Sequence, residues 1–166
     1  MPFTPFHFGP GLLFKSILPR YVCFRIFVLN QIIIDAEVLY YMLTQQYPLH
    51  RFFHTYLGST FVAFFCILFG RQICHQATTL WNKIIKSYPI PNAPIPLSAV
   101  IGGALLGSWS HVALDSFLYT DIRPLSPLSD QNQMLAVFGM GHVYGGCVLA
   151  GLLGWFLIKA FPKLPR

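Results

Sequence analysis

Residues 52–70 read FFHTYLGSTFVAFFCILFG, and this run between Arg51 and Arg71 contains no acidic residue, lysine or arginine. A helix needs about 20 mostly apolar residues, each rising about 1.5 Å, to cross a hydrocarbon core about 30 Å thick. The run has that length and composition. It therefore predicts a transmembrane helix, which we place at 51–70.

Three other apolar runs extend the same pattern in both directions along the chain. They predict further membrane spans at about 21–43, 97–119 and 134–158. The first of these is less uniform because it contains Arg25, Asp35 and Glu37. The predicted fold is an all-α integral membrane bundle of about four transmembrane helices, forming a single domain over 1–166.

Shorter segments fill the spaces between the predicted spans. Residues 7–18, HFGPGLLFKSIL, are apolar but too short to cross a membrane, and Pro19 ends them, so we predict a re-entrant or interfacial helix. Residues 71–87 are polar enough for a separate surface helix on the cytoplasmic side. Residues 88–96, YPIPNAPIP, predict an extended linker because proline disfavours a helix.

The composition agrees with a membrane protein. The chain is 55% hydrophobic and 10% charged, against about 25% charged for an ordinary soluble domain. The net charge of +6 comes from basic residues placed between apolar runs, so we interpret them as topology signals rather than as a nucleic-acid surface. The start of the chain lacks the pattern of a removable signal peptide, and we expect none.

Basic residues also predict the orientation. The loops on one side carry only Arg51 and Arg123. By the positive-inside rule that side faces outward, and the 71–96 segment and the C-terminus lie in the cytoplasm. We expect an integral protein of the inner or plasma membrane if the host is a bacterium. The basic residues assigned to the inside are Lys15, Arg20, Arg71, Lys83, Lys86, Lys159, Lys163 and Arg166.

Most other ionisable side chains of the spans lie at a similar depth in the outer halves. With a rise of about 1.5 Å per residue, they fall into a layer roughly 6 Å thick. The inner halves contain almost no ionisable group except Arg25. The layer comprises Asp35, Glu37, His50, His54, His111, Asp115 and His142.

Two pairs in this layer have the spacing of adjacent turns on one helix face. His50 and His54 are four residues apart, and His111 and Asp115 have the same spacing. Each pair can offer two groups to one cation or to two neighbouring cations. A divalent cation also removes the cost of a buried carboxylate such as Asp35. Imidazole and carboxylate donors predict zinc, with manganese or iron as alternatives, in one open site or a dinuclear one.

Several of these residues also have an ordinary structural interpretation. A lone histidine such as His142 can be a hydrogen-bonded packing residue, Glu37 can face water and His50 can belong to a loop. We further expect Asp121 to pair with Arg123 or to cap the end of the preceding helix. The ligand interpretation is favoured for Asp35, His54, His111 and Asp115.

Five motifs occur in order along the chain, namely TPFHFGPG, IIIDAE, PLHRFFHTYLG, SHVALDS and RPLSP. Together they resemble the membrane-bound metal-dependent hydrolases, a largely uncharacterised family. That family's pattern has an early histidine, an aspartate that ends an apolar helix, a His-Arg segment followed by a second histidine, and a helix with His-x-x-x-Asp. The resemblance extends from His7 to about Pro127, whereas the last helix is similar only in hydrophobicity.

The resemblance implies metal-dependent hydrolysis. The residues that match the pattern are His7, Asp35, His54, His111 and Asp115. Their order is more distantly similar to the zinc-dependent phospholipase C pattern, which binds zinc in a helical bundle. The later His-x-x-x-Glu pair of that pattern has no counterpart, because Gly146 follows His142 four residues on.

The leading hypothesis is a membrane-embedded metal-dependent hydrolase acting on a phosphoester or lipid-like substrate near the outer leaflet. Glu37 or His142 would be the general base. The alternative is a divalent-metal or proton carrier without catalysis, and a haem protein is a third interpretation. Expected partners are membrane lipid and a small-molecule or lipid substrate, with no nucleic acid. The candidate metal ligands are His7, Asp35, His50, His54, His111 and Asp115.

Overall fold

The computed structural model describes residues 5–161, which form five α-helices and two short 3₁₀ turns. Four of the helices are long and apolar enough to cross a membrane, and the described residues include no strand. The predicted all-α membrane bundle is therefore confirmed. The helices are α1 (Phe8–Ile17), α2 (Phe24–Leu43), α3 (Tyr56–Ile84), α4 (Leu97–Ser116) and α5 (Met140–Ala160), and the turns are Pro5–His7 and Phe52–His54.

Helix α3 is longer than the predicted span 51–70, although it begins later, at Tyr56. Thr55 caps its start, because the Thr55 hydroxyl oxygen accepts a hydrogen bond from the Gly58 backbone N–H at 2.9 Å. No proline follows until Pro89, and the helix continues through residues 71–84. The prediction of a separate surface helix there is wrong. The 29 residues of α3 give a length of about 43 Å, so the helix projects beyond a hydrocarbon core of about 30 Å.

Two other long helices begin later than predicted. The chain before α2 is still turning at Val22, whose N–H donates to Leu18 O at 3.0 Å, and α2 begins at Phe24. Helix α5 begins at Met140 rather than at residue 134. Ala136, with a φ of 58°, lies within the segment before it, and a right-handed helix cannot include that conformation.

The proline-rich segment 88–96 is free of helix, as predicted, and its first half folds back along the end of α3. The Asn82 side chain donates to Ile90 O at 2.8 Å and accepts from Ile90 N–H at 2.7 Å. Trp81 Nε1 also donates to Tyr88 O at 3.1 Å. These bonds fix the segment as a wall at one end of the bundle.

Helix α1 packs against α5 and α2. Its 10 residues extend about 15 Å, which is half of a membrane core. Glycines permit the close approach, because a Cβ at Gly9 would overlap the backbone of Cys147 and one at Gly154 would overlap the backbone of Leu12. The short helix predicted within residues 7–18 is confirmed as α1.

Helices α2 and α4 run side by side in the same direction. Near their starts, Cys23 N–H donates to Ala99 O at 2.9 Å. Two turns further along, Gln31 Nε2 donates to Gly107 O at 2.9 Å. This register brings together the next turns of both helices, which carry the predicted ligands.

Apolar side chains divide between a core and an outer surface. Ile26, Ile34 and Val100 are fully buried between the helices. By contrast, Phe64 is 59% exposed and Leu68 is 56% exposed on the outside of α3. Lipid is the solvent that suits such a surface, so the helices contact lipid along their outer faces.

Candidate metal centre

Four side chains from three parts of the chain converge in the interior. Asp35 comes from α2, His54 from the turn before α3, and both His111 and Asp115 from one face of α4. One donor atom of each lies within 4.8 Å of the other three, and all four residues are buried. This group, which we call the carboxylate–histidine cluster, could hold a metal ion.

Distances inside the cluster resemble those between ligands of one ion. His111 Nε2 lies 3.5 Å from Asp35 Oδ1 and 3.2 Å from Asp115 Oδ2. His54 Nε2 lies 3.8 Å from the same Asp115 oxygen. Ligands held tetrahedrally about 2.0–2.2 Å from a zinc ion are about 3.3–3.6 Å apart. Small movements of the side chains would therefore allow them to share an ion.

An amide side chain orients the His111 ring. Gln31 donates through Nε2 to Gly107 O, which directs Gln31 Oε1 to His111 Nδ1, and these two atoms are hydrogen-bonded. Since an amide oxygen only accepts hydrogen bonds, we assign the proton to Nδ1 of His111. In a neutral ring, Nε2 then carries a lone pair, and this lone pair faces the carboxylates.

A carboxylate orients His54 in the same way. Glu37 Oε2 lies 3.1 Å from His54 Nδ1 and also accepts hydrogen bonds from Phe53 N–H at 3.0 Å and Arg51 N–H at 3.2 Å. Glu37 therefore fixes both the ring and the turn that carries it. This places Glu37 beside the cluster as the partner of a candidate ligand, and its role as general base stays a prediction.

The buried Nε2 atoms of His54 and His111 have no hydrogen-bond partner among residues 5–161. In neutral rings these atoms are acceptors that face carboxylate oxygens, and two buried acceptors without a donor between them are unfavourable. A cation between the groups removes the conflict, either as a metal ion or as protons that convert the rings to imidazolium. Metal-binding histidines in proteins usually donate their other ring N–H to a carboxylate or carbonyl, as His54 and His111 do.

His7 reaches the edge of the cluster from the start of α1. It is 1% exposed, and its Nε2 lies 3.2 Å from Asp115 Oδ1. Neither of its ring nitrogens has a hydrogen-bond partner in the described part of the chain. Asp115 thus directs one oxygen to His7 and the other to His54 and His111. This arrangement suits His7 as a further ligand of the same ion or of a neighbouring one.

His50 lies one layer outside the cluster. Its Nδ1 is 2.8 Å from Asp121 Oδ1, and Asp121 Oδ2 accepts backbone hydrogen bonds from Leu49 at 3.0 Å and from His50 at 3.2 Å. The His50 ring meets the His54 ring edge to face, with 4.7 Å between centroids. The structure therefore places His50 against a candidate ligand and ties it to Asp121.

Asp121 is hydrogen-bonded to Leu49 and His50 and is not paired with Arg123. Burial alone raises the pKa of the Asp121 carboxyl, but hydrogen bonds from the backbone and ring of His50 and from Leu49 hold its pKa below the ordinary value. Arg123 instead pairs with Asp130, with 3.2 Å between Nη1 and Oδ1 at an exposed position. The expected pair of Asp121 and Arg123 is therefore wrong.

His142 lies at the start of α5 and is exposed, whereas the four members of the cluster are buried. The structure places it on the protein surface and does not group it with them. Its role as general base stays a prediction.

A cavity of about 510 Å³ lies beside the cluster, among the loops. His50 lines this cavity, and its ring also contacts the ring of the candidate ligand His54. We call it the outer cavity. Its polar wall includes His50, Arg51, Thr55, Asp121 and Arg123.

Sequence reasoning missed Gln31, although a signal for it was present. Asn30 and Gln31 are two amides in the middle of an apolar helix, and Gln31 lies one turn before Asp35. The structure buries both amides, and Ser108 Oγ donates to Asn30 Oδ1 at 2.7 Å. Buried amides need fixed partners, so such a pair indicates contact with polar groups on another helix.

No protein-family model, no curated protein and no solved structure matches this chain.

Proposed function

We propose that this chain is a metal-dependent hydrolase embedded in the membrane, acting on a phosphoester or lipid-like substrate near the outer leaflet. The supporting observation is the buried carboxylate–histidine cluster, in which two imidazole Nε2 atoms face carboxylates without a hydrogen bond. The motif resemblance to membrane-bound metal-dependent hydrolases leads to the same reaction class. We place the protein in the inner or plasma membrane if the host is a bacterium.

Zinc is the proposed ion, with manganese or iron as alternatives, because imidazole and carboxylate donors suit these metals. When bound, such an ion would supply a water of lowered pKa and polarise the oxygen of the scissile bond. The protein's own contribution is to orient the ligands. Gln31 and Glu37 accept the Nδ1 protons of His111 and His54, so both rings direct Nε2 inward.

The lining of the outer cavity suits an anionic substrate. Arg51 and Arg123 both line it, and planar guanidinium groups suit the oxygens of a phosphoester. The Arg51 side chain is held in place, because its Nε donates to Pro48 O at 2.9 Å and its Cζ lies 3.7 Å from the centre of the Tyr41 ring. A phosphoester head group bound here would lie beside His50, next to the cluster.

The first test is the metal content of the full-length protein purified in mild detergent without chelator. We expect the wild type to retain zinc, manganese or iron in elemental analysis, and we expect His111→Ala to lose it. His75→Ala is the matched control, because His75 is exposed on α3 and lies outside the cluster. Equal, near-zero metal in the wild type and both variants would reject the proposal.

The second test is hydrolysis. We expect the metal-loaded wild type to cleave members of a panel of phosphoesters and phospholipids, and we expect the activity to disappear with chelator and return with the ion. Arg51→Gln should weaken substrate binding while leaving the metal content unchanged. Full metal occupancy with no cleavage of any panel member would reject hydrolysis and leave a metal-binding protein.

A divalent-metal or proton carrier is the second candidate. Its supporting observation is the buried set of Asn30, Gln31 and Ser108, which extends the polar interior inward beyond Asp35. Phe27 and Ile26 follow as fully buried apolar residues, and these oppose an ion path. Metal uptake into vesicles that contain the purified protein would favour the carrier over the hydrolase.

A further inference from the structure

The end of the bundle opposite the carboxylate–histidine cluster contains two adjoining cavities of about 480 Å³ each. Both are lined by Arg25, Ala93, Pro94 and Ile95, so the two cavities are neighbours. We refer to them together as the basic cavity. Its cationic lining residues are Lys15, Arg20, Arg25 and Arg71.

Among the described residues that line the basic cavity, none is acidic. The chain has only five acidic residues, and each contacts a histidine or arginine elsewhere. The contacts are Asp35 and Asp115 with His111, Glu37 with His54, Asp121 with His50, and Asp130 with Arg123. Within residues 5–161 the carboxylate side chains thus make their contacts away from the cavity, and its cations suit an anion supplied by another molecule.

Arg25 is held in a fixed position for such an anion. It is half-buried at the start of α2, and its Nη1 donates to Thr78 Oγ1 at 3.0 Å. Thr78 in turn donates to Cys74 O at 2.7 Å, which orients its hydroxyl. A guanidinium has five N–H donors, so most of the donors of Arg25 stay available to a ligand in the cavity.

A second part of the lining of the basic cavity is also held in place. It consists of residues 93–96, at the end of the proline-rich segment. The earlier part of that segment is held on α3, where Asn92 Nδ2 donates to Thr79 Oγ1 at 3.0 Å. The cavity is therefore built by residues of four helices and by the proline-rich segment, which is held on α3.

We propose that the basic cavity binds the phosphate group of an anionic phospholipid. Apolar side chains next to the cavity are exposed at the same end of the helices, with Ile17 60% exposed, Tyr21 59% exposed and Leu97 52% exposed. They offer a surface for acyl chains beside the cations that would hold the head group. Basic pockets between membrane helices on the positively charged side are suited to acidic head groups.

This site is separate from the proposed hydrolase centre, and its test does not depend on metal or activity. The full-length protein in neutral detergent is titrated with fluorescent phosphatidylglycerol, and phosphatidylcholine serves as the zwitterionic comparison. We expect phosphatidylglycerol to bind at least about tenfold more tightly than phosphatidylcholine. The variant R25Q/R71Q should lose about tenfold or more of that affinity.

Two further variants make the test decisive. Because Arg25 also contacts Thr78, R20Q/R71Q changes only exposed arginines of the cavity and should weaken binding without disturbing the fold. The matched control is K83Q/K159Q, which removes the same charge from exposed positions outside the cavity. We expect this control to bind like the wild type.

Three results would overturn the proposal. The cavity variants could bind phosphatidylglycerol as tightly as the wild type, or the control could lose as much affinity as they do, which would indicate bulk charge alone. Displacement of the lipid by millimolar inorganic phosphate at constant ionic strength would assign the cavity to a free anion instead.

Discussion

The two ends of this bundle carry opposite kinds of charged groups. At one end, Asp35 and Asp115 are buried with His54 and His111, and their donor atoms face one another. At the other end, cations line a cavity without an acidic side chain, and Arg20 and Arg71 are exposed. The first end has excess acceptors that require a cation, whereas the second has excess donors that accept an anion.

The difference shows how burial decides what a charged group can bind. The carboxylate of Asp115 is buried away from water. Its ionised form is therefore stable only with a positive partner at close range. Exposed arginines keep their hydration and release it only when an anion binds. We therefore expect tight, stoichiometric binding at the carboxylate–histidine cluster and weaker, salt-dependent binding at the basic cavity.

The largest expected effect comes from Asp115→Asn. Asp115 contacts His7, His54 and His111, so its replacement removes the charge that all three rings face. We expect metal affinity to fall by at least about 100-fold, since loss of an outer partner alone already costs 10–100-fold. Elemental analysis and metal titration measure it. Normal affinity in this variant would break the comparison, because the cluster would not be the metal site.

The second-largest effect is expected from removing the metal ion. An ion present at about 100 times its dissociation constant stabilises a folded protein by about 2.7 kcal/mol, so chelator should lower the thermal unfolding midpoint of the wild type in detergent. Asp115→Asn should show no change with chelator. The R20Q/R71Q variant should respond like the wild type, because its charges lie at the other end. An equal response of all three proteins would contradict this assignment.

Changes to the outer partners should have intermediate effects. Gln31→Leu and Glu37→Gln each weaken the orientation of one ligand ring, and we expect metal affinity to fall by about 10–100-fold. Gln72→Leu, an exposed glutamine on α3, is the matched control and should leave the affinity unchanged. Unchanged affinity in Gln31→Leu would mean that the hydrogen bond to His111 does not orient a metal ligand.

The smallest expected effect comes from Asp130→Asn. Its ion pair with Arg123 is exposed, with side-chain exposures of 60% for Arg123 and 70% for Asp130. Exposed pairs contribute about 0–1 kcal/mol, so thermal unfolding and metal content should stay close to the wild type. A large loss of metal from this variant would show that the loop charges, as well as the buried cluster, hold the ion.

The sequence anticipated the carboxylate–histidine cluster better than its surroundings. Asp35, His54, His111 and Asp115 could be grouped because depth in a membrane helix follows directly from position along the chain. Glu37 was predicted as a base and His50 as a ligand, and both roles stay predictions. What the sequence did not show is that Glu37 is hydrogen-bonded to His54 and His50 to Asp121. Position along a helix does not show which way each side chain faces, and that depends on how neighbouring helices are rotated.

Boundaries were predicted less well where a helix leaves the membrane. The polar residues 71–84 suggested a separate surface helix, whereas α3 continues through them. Hydropathy indicates whether a segment lies in lipid or in water. It does not show where a helix ends, because a helix ends only where its backbone hydrogen bonds are interrupted. The start of α5 was placed too early for the related reason that apolar residues 134–139 form turns before the helix begins.

By itself, the sequence determined an all-α membrane bundle with a layer of histidines and carboxylates, because hydrophobicity and helical rise are properties of each segment alone. Only the tertiary structure decided that α1 brings His7 to Asp115 and that Gln31 reaches His111. Those contacts join residues that are 80 or more positions apart in the chain. They depend on the register of helices that close glycine packing brings together, which no single segment specifies.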